Sequence, residues 1–168
     1  MAMSFDELPA PGALRHRALT GTIERTERPV KRAAGTGPGE HTDAIELLRR
    51  VPYGRLATSM RALPFLAVAR HVVSDGRILL RMHRGFGHHE ACDGSVVAYG
   101  ADNYSGDPSG EGGDLWSVQF TGPAEIVRLG PEQEELFGAM PASVNGEPYA
   151  PAFLRVDPHF VTEHRLTF

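Results

Sequence analysis

The chain has 168 residues, a formal net charge of −4 and a pI near 6.0, with 41% apolar and 23% charged residues. That length suits one domain with a buried core, and the mild negative charge supplies no basic field for nucleic acid. No apolar run is long enough to cross a bilayer, "MAMSFDELPAPGALRH" holds no apolar signal region and a single cysteine excludes an intrachain disulfide; a cytoplasmic protein is expected, with no membrane or nucleic-acid partner.

Residues 1–40 carry Pro9, Pro11, Pro29 and Pro38 among mixed charges and show no sustained period of 2 or 3.6. They are expected to form a partly disordered tail or arm, leaving 41–168 as the domain. "HTDAIELLRRV" then reads as a short helix with Thr42 as its cap, and Ala44, Leu47, Leu48 and Val51 form its buried stripe.

Strand signals follow. "YGRLATS" (53–59) leads through a turn-like "MRALP" to "FLAVARHVV" (65–73), Ser74-Asp75-Gly76 marks a hairpin, and "RILLRMH" (77–83) returns. In that returning strand Ile78, Leu80 and Met82 face one way, and Leu79, Arg81 and His83 the other. "GSVVAYGA" (94–101) is a further strand, and 102–114 is a polar, glycine-rich excursion that reads equally as a substrate-facing lid or an inert surface loop. "LWSVQFTGPAEIV" (115–127) alternates clearly, with Trp116, Val118 and Phe120 opposite Ser117, Gln119 and Thr121. "PEQEELFGAM" (131–140) reads as a helix with Pro131 in its first turn, and 152–166 as strand broken near Pro158. Short antiparallel strands with a few small helices give a mainly β (α+β) fold built on a closed or partly closed barrel.

The chemistry concentrates in "RMHRGFGHHEACDG" (81–94), which holds three of the eight histidines and the only cysteine. One reading is a zinc site from His83, His88, His89 and Cys92, but adjacent histidines diverge and no paired-cysteine or H-E-x-x-H spacing is present. A second is an anion-binding loop, in which a strand ends in Gly85 and Gly87, a short helix follows, and Arg81, His83, His88 and His89 supply donors. The third is a solvated turn with incidental histidines. Cys92 reads as a packed small side chain, and no serine-hydrolase elbow, P-loop or dinucleotide fingerprint occurs.

The order "YGRLATS", "LPFLAVARHVVSDGRILLRMH", a G-H-H loop, "GSVVAYGADN" and "LWSVQFTGPAEIV" resembles the FMN-binding split β-barrels of the pyridoxamine 5′-phosphate oxidase-like superfamily. Within them the likeness is greatest to the flavin-nucleotide-binding branch that includes nitroimidazole-resistance proteins. The resemblance implies a split antiparallel barrel and a homodimer with two FMN molecules at its interface. It also implies oxidoreductase chemistry on an unidentified small molecule. Arg55, Leu56, Ala57 and Thr58 match the family's flavin-lining strand, and His83 matches a strand-end histidine. Gly87, His88 and His89 match a G-H-K phosphate element, with histidine in place of lysine. Trp116, Ser117 and Gln119 fall on the strand that reaches the pocket, often from the partner subunit. With Arg81 these are the candidate cofactor residues; no catalytic side chain and no metal ligand is assigned. The alternative is a non-catalytic flavin- or haem-binding protein of the same fold, with haem or a deazaflavin as a less favoured cofactor.

Overall fold

A computed structural model of the chain describes residues 38–104 and 115–166. Apart from their described ends at 38–40 and 102–104, the expected N-terminal arm and the glycine-rich excursion lie outside these residues. The elements are helix α1 (Pro38–Leu48), strands β1 (Tyr53–Met60), β2 (Leu63–Ser74) and β3 (Arg77–His83), helix α2 (His88–Cys92), strands β4 (Val96–Asp102) and β5 (Leu115–Ile126), and helix α3 (Pro131–Glu135). The short strands β6 (Ser143–Val144) and β7 (Glu147–Pro148) then precede β8 (Pro151–Val156) and β9 (Phe160–Leu166).

Six strands close into an antiparallel barrel in the order β1-β2-β3-β8-β5-β4, with β4 returning to β1. Closure pairs the backbone donors and acceptors that an open sheet would leave at its edges. β9 adds to β5 from Leu115 to Thr121, and β8 takes over the same edge from Ala124 to Ile126. The chain crosses between β8 and β9 against Gly122, where a Cβ would collide with the Asp157 carbonyl. Glycine is required at that handover.

The period-2 patterning seen in the sequence sets the two faces. Leu56, Ala69, Ile78, Leu80, Val97, Tyr99, Trp116, Val118, Phe120, Leu154 and Val156 are buried in one cluster. Ala44, Leu47 and Leu48 of α1 belong to it, so the predicted stripe is buried; Val51 packs against it, partly buried. α1 starts at Pro38, however, which places Thr42 inside the helix and not at its cap. His71 ties α1 to the barrel: its Nε2 lies 2.9 Å from the Leu48 carbonyl and its Nδ1 2.7 Å from the Tyr99 hydroxyl. A carbonyl only accepts, so Nε2 carries the proton, and the one Tyr99 hydroxyl proton faces two acceptors, His71 Nδ1 and the Ala69 carbonyl at 3.0 Å. Burial lowers the His71 pKa from its ordinary value and keeps this arrangement neutral.

The β2–β3 hairpin turns at Asp75 and Gly76, both at positive φ (52° and 71°), as a tight two-residue loop favours. The β1–β2 turn is equally short, at Arg61 and Ala62, so β2 begins at Leu63 and not at 65. The helix expected over 131–140 covers only Pro131–Glu135. Phe137 is fully buried, packing on Phe153, and Gly138 at φ 61° turns the chain away.

Candidate functional site

Register places most of the polar candidates on one face. Tyr53 is opposite Arg70, Arg55 opposite Val68 and Ala57 opposite Leu66; across the next ladder Arg70 is opposite Arg81. On the other side Arg55 pairs with Gly100, Gly100 with Gln119 and Asp102 with Ser117. Directly opposed residues share a face, so Arg81, His83, Arg55, Ser117 and Gln119 all stand on the outside of the barrel. Leu66 and Val68, 62% and 67% exposed, lie between the two groups.

Two of the cavities on this face adjoin, with Leu66 bordering both. The first, about 340 Å³, is floored by Tyr53, Arg70, Arg81 and His83 and walled by Phe86, His88 and the segment carrying Pro141, Val144 and Tyr149. Among the described residues no carboxylate lines it. That segment forms a strap: β6 and β7 pair with each other, the Tyr149 N–H donates to the Ala142 carbonyl, and both ends are fastened to β3. Arg81 fastens one end, donating through Nη1 to Gly138 O (3.1 Å) and through Nη2 to Ala139 O (2.8 Å). At the other end Ala150 N–H donates to His83 Nδ1 (3.2 Å), and the Arg84 guanidinium donates to Pro151 O. Since His83 accepts at Nδ1, its remaining proton sits on Nε2. A side chain at Gly85 would collide with the His83 ring, so this glycine permits the ring's position. Tyr149 stays a protonated phenol, because burial raises its pKa against the opposing pull of Arg81.

The second cavity, about 350 Å³, has small residues (Ala57, Ala98 and Gly100) on its β1–β4 floor. Its polar lining comes from Arg55, Asp102, Ser117, Gln119, Thr162 and His164. Arg55 Nη1 is 3.1 Å from Asp102 Oδ2, an exposed pair that holds the arginine side chain across the β1–β4 ladder.

The candidate residues therefore divide. Arg81, His83 and His88 line the first cavity, and Arg55, Ala57, Ser117 and Gln119 the second. Leu56 and Trp116 point into the core, 0% and 4% exposed, and Thr58 is half-buried on the same inward side. Gly87 takes φ 67° ahead of α2, a conformation that suits glycine. His88 stacks on Phe65 with ring centres 4.2 Å apart. His89, at the family's lysine position, lines neither cavity; its Nδ1 is buried and without a hydrogen-bond partner among the described residues. Arg81 differs from the sequence expectation: its Nη groups are spent on the strap carbonyls and do not point free into the loop. Cys92 is buried with its thiol pushed up to about 11 by desolvation, which suits a packed and unreactive side chain. Among the described residues no three His, Cys, Asp or Glu side chains gather as a metal site would need, and no helix is long and apolar enough to cross a membrane.

Sequence reasoning missed Arg70, Tyr53 and Tyr149. A signal for Arg70 existed: a two-residue turn at 75–76 pairs Ser74 with Arg77 and thereby sets Arg70 against Arg81. Tyr149 had none, because a strap that pairs only with itself leaves no periodic trace.

Comparisons with known proteins agree with this architecture. Residues 40–165 match the family model for pyridoxamine 5′-phosphate oxidase. A search of curated protein sequences finds no match. Among solved structures, an FAD-binding protein from Mycobacterium smegmatis aligns with a TM-score of 0.57 at 23% identity, over 75% of this chain and 96% of its own. A flavocytochrome from Azotobacter vinelandii aligns with a TM-score of 0.55 at 13% identity, over 75% of this chain and 67% of its own. An FAD-binding protein from Mesorhizobium loti aligns at 0.52 and 15% identity, over 76% and 93%. At these identities the structural likenesses carry the fold alone, a split antiparallel barrel. The family match spans the whole barrel, both cavities included, and the chain belongs to the pyridoxamine 5′-phosphate oxidase family.

Proposed function

We propose that this protein binds FMN on the outer barrel face and, as a homodimer in the cytoplasm, acts as an oxidoreductase on a small molecule. The observation that carries the reading is the pair of adjoining cavities on one face, with complementary chemistry. A floor of Ala57, Ala98 and Gly100 suits a flat ring system, and Ser117, Gln119, Thr162 and His164 offer hydrogen bonds to its edge. The neighbouring cavity is cationic and aromatic, with His83 and His88 in its lining, which suits a ligand bearing negative charge.

The residues present thus fit a flavin. When bound, it would supply hydride or electron transfer; the chain's own part is to bind it, orient it and exclude water. No side chain of the two cavities is needed as a proton donor for that role. The apolar strip between the cavities supports the dimer: Leu66 and Val68 are neighbours on the outer face and are 62% and 67% exposed, apolar surface that a second copy would cover. A second copy covering this strip would also cover a flavin lying along it.

Purification tests the reading. The protein should be yellow or take up FMN stoichiometrically, and the flavin released by denaturation should be FMN by mass. A Soret band in place of flavin absorbance would favour the haem-binding alternative, and a colourless protein that binds neither FMN nor FAD would overturn the flavin reading. Reduction of the bound flavin by a nicotinamide donor, followed by reoxidation with an added acceptor, would separate an oxidoreductase from a carrier.

A further inference from the structure

A third cavity on this face, about 640 Å³, shares Tyr53 with the first and Arg55 and Asp102 with the second. It sits where β1 begins and β4 ends, with Val51, Pro52 and Val68 as its apolar wall. The rings of Tyr53 and Tyr104 line it, 48% and 45% exposed. The Tyr104 end is held firmly. Both oxygens of Asp102 are engaged: Oδ2 accepts from Arg55 Nη1 (3.1 Å) and Oδ1 from the Tyr104 N–H (3.1 Å). Asn103 grips β5 in both directions, its N–H donating to the Trp116 carbonyl (3.2 Å) and its Oδ1 accepting from the Trp116 N–H (2.8 Å). The half-exposed Tyr104 ring is thus carried on a backbone pinned through three consecutive residues.

Electrostatics select the occupant. Asp102 compensates Arg55, so the described lining carries no net charge, and an anionic ligand would have to compete with that carboxylate for the guanidinium. Arg55 keeps N–H groups without an acceptor among the described residues, and its side chain is 58% exposed, so it can donate to a neutral oxygen. The faces of the phenol rings are electron-rich and suit an electron-poor ring laid against them. We propose that this cavity binds the small molecule of the reaction and that its class is the quinones: flat, uncharged and electron-poor, with an oxygen in the ring plane that accepts from Arg55 while the ring lies against Tyr53 and Tyr104. The proposal rests on the flavin reading of the two adjoining cavities and names the substrate class for it. A quinone becomes a hydroquinone by gaining a hydride and a proton; the reduced flavin would supply the hydride, becoming oxidised, and water the proton.

The test uses the full chain, with and without added FMN, and three probes: menadione, 2-methylnaphthalene, which lacks the oxygens, and 1-naphthoate, which adds a charge. Calorimetry should show menadione binding to wild type, with the other two probes weaker by roughly tenfold or more. Tyr104→Ala should weaken menadione binding roughly tenfold, and Tyr104→Phe should restore most of it, since the ring and not the hydroxyl makes the contact. Arg55→Met should bring menadione down to the level of 2-methylnaphthalene. Tyr104 lines neither flavin cavity, so FMN affinity should be equal in Tyr104→Ala and wild type. Failure of the chain to take up any flavin would overturn the flavin proposal, while menadione binding to the flavin-free protein that is lost in Tyr104→Ala would still support the quinone site. No menadione binding to wild type, equal affinity in wild type and Tyr104→Ala, or tighter binding of 1-naphthoate than of menadione would overturn the inference. So would a parallel loss of FMN affinity in Tyr104→Ala, which would make this cavity part of the flavin site.

Discussion

At the scale of single residues, buried polar groups have their roles decided by what they touch. His71 bonds both α1 and Tyr99 while 5% exposed, so truncation leaves the Leu48 carbonyl short of a partner and the Tyr99 hydroxyl with the Ala69 carbonyl as its remaining acceptor, and it opens a void. His71→Ala should cost about 2–4 kcal/mol in urea unfolding. The pH dependence follows from the lowered folded pKa. Above the unfolded value of 6.5 both states are neutral and the contribution is fully present. As pH falls below 6.5 the unfolded state takes up a proton that the folded state refuses, and stability is lost until the lowered folded pKa is passed. Urea midpoints measured from pH 8 to 5 should fall less in His71→Ala than in wild type; parallel curves would exclude His71 as the source. Gly85 is a second such residue. Gly85→Ala should push the His83 ring away from Ala150 and weaken FMN binding by roughly tenfold or more, while the melting temperature moves little. Fluorescence titration against wild type checks this.

Among the elements, the strap contributes a wall without belonging to the barrel. β6 and β7 pair only with each other, and the six closing strands do not depend on them. Replacing residues 142–149 with a short Gly-Ser linker should therefore leave a single cooperative thermal transition. It should also remove Val144 and Tyr149 from the first cavity and lower FMN affinity. A variant that unfolds without cooperativity would show instead that the strap is part of the folding unit. α2 makes a different contribution: it is one turn and a half long, and its value is to place His88 against Phe65 beside the cavity, not to present a helix dipole.

For the whole molecule, the proposed homodimer depends on the apolar strip between the cavities. Leu66→Glu with Val68→Glu places two charges on that strip without touching the core, since both side chains point outward. Light scattering should return a dimer for wild type and a monomer for the double variant, with flavin retained less well by the monomer. A wild-type monomer at micromolar concentration would count against the shared face. A double variant that stays dimeric would place the interface elsewhere.

Much of the fold was legible in the chain because period-2 alternation is a local property. The inward set of β3 and β5, the α1 stripe, the hairpin at Asp75-Gly76 and the order of strands all come from neighbours in sequence. The family resemblance rested on that order, and the match over residues 40–165 confirms it. Tertiary structure alone decided three things. Pairing of β4 with both β1 and β5 determined that Arg55, Ser117 and Gln119 come together around one cavity. Contact with the strap determined that Arg81 is committed to the Gly138 and Ala139 carbonyls, while Arg70 makes no ion pair among the described residues. The turn at Gly87 determined that His88 enters the cavity and His89 does not. In the first two cases the deciding partner lies far away along the chain, and hydrogen bonding and desolvation act through space, so residue type and spacing alone carried no record of it.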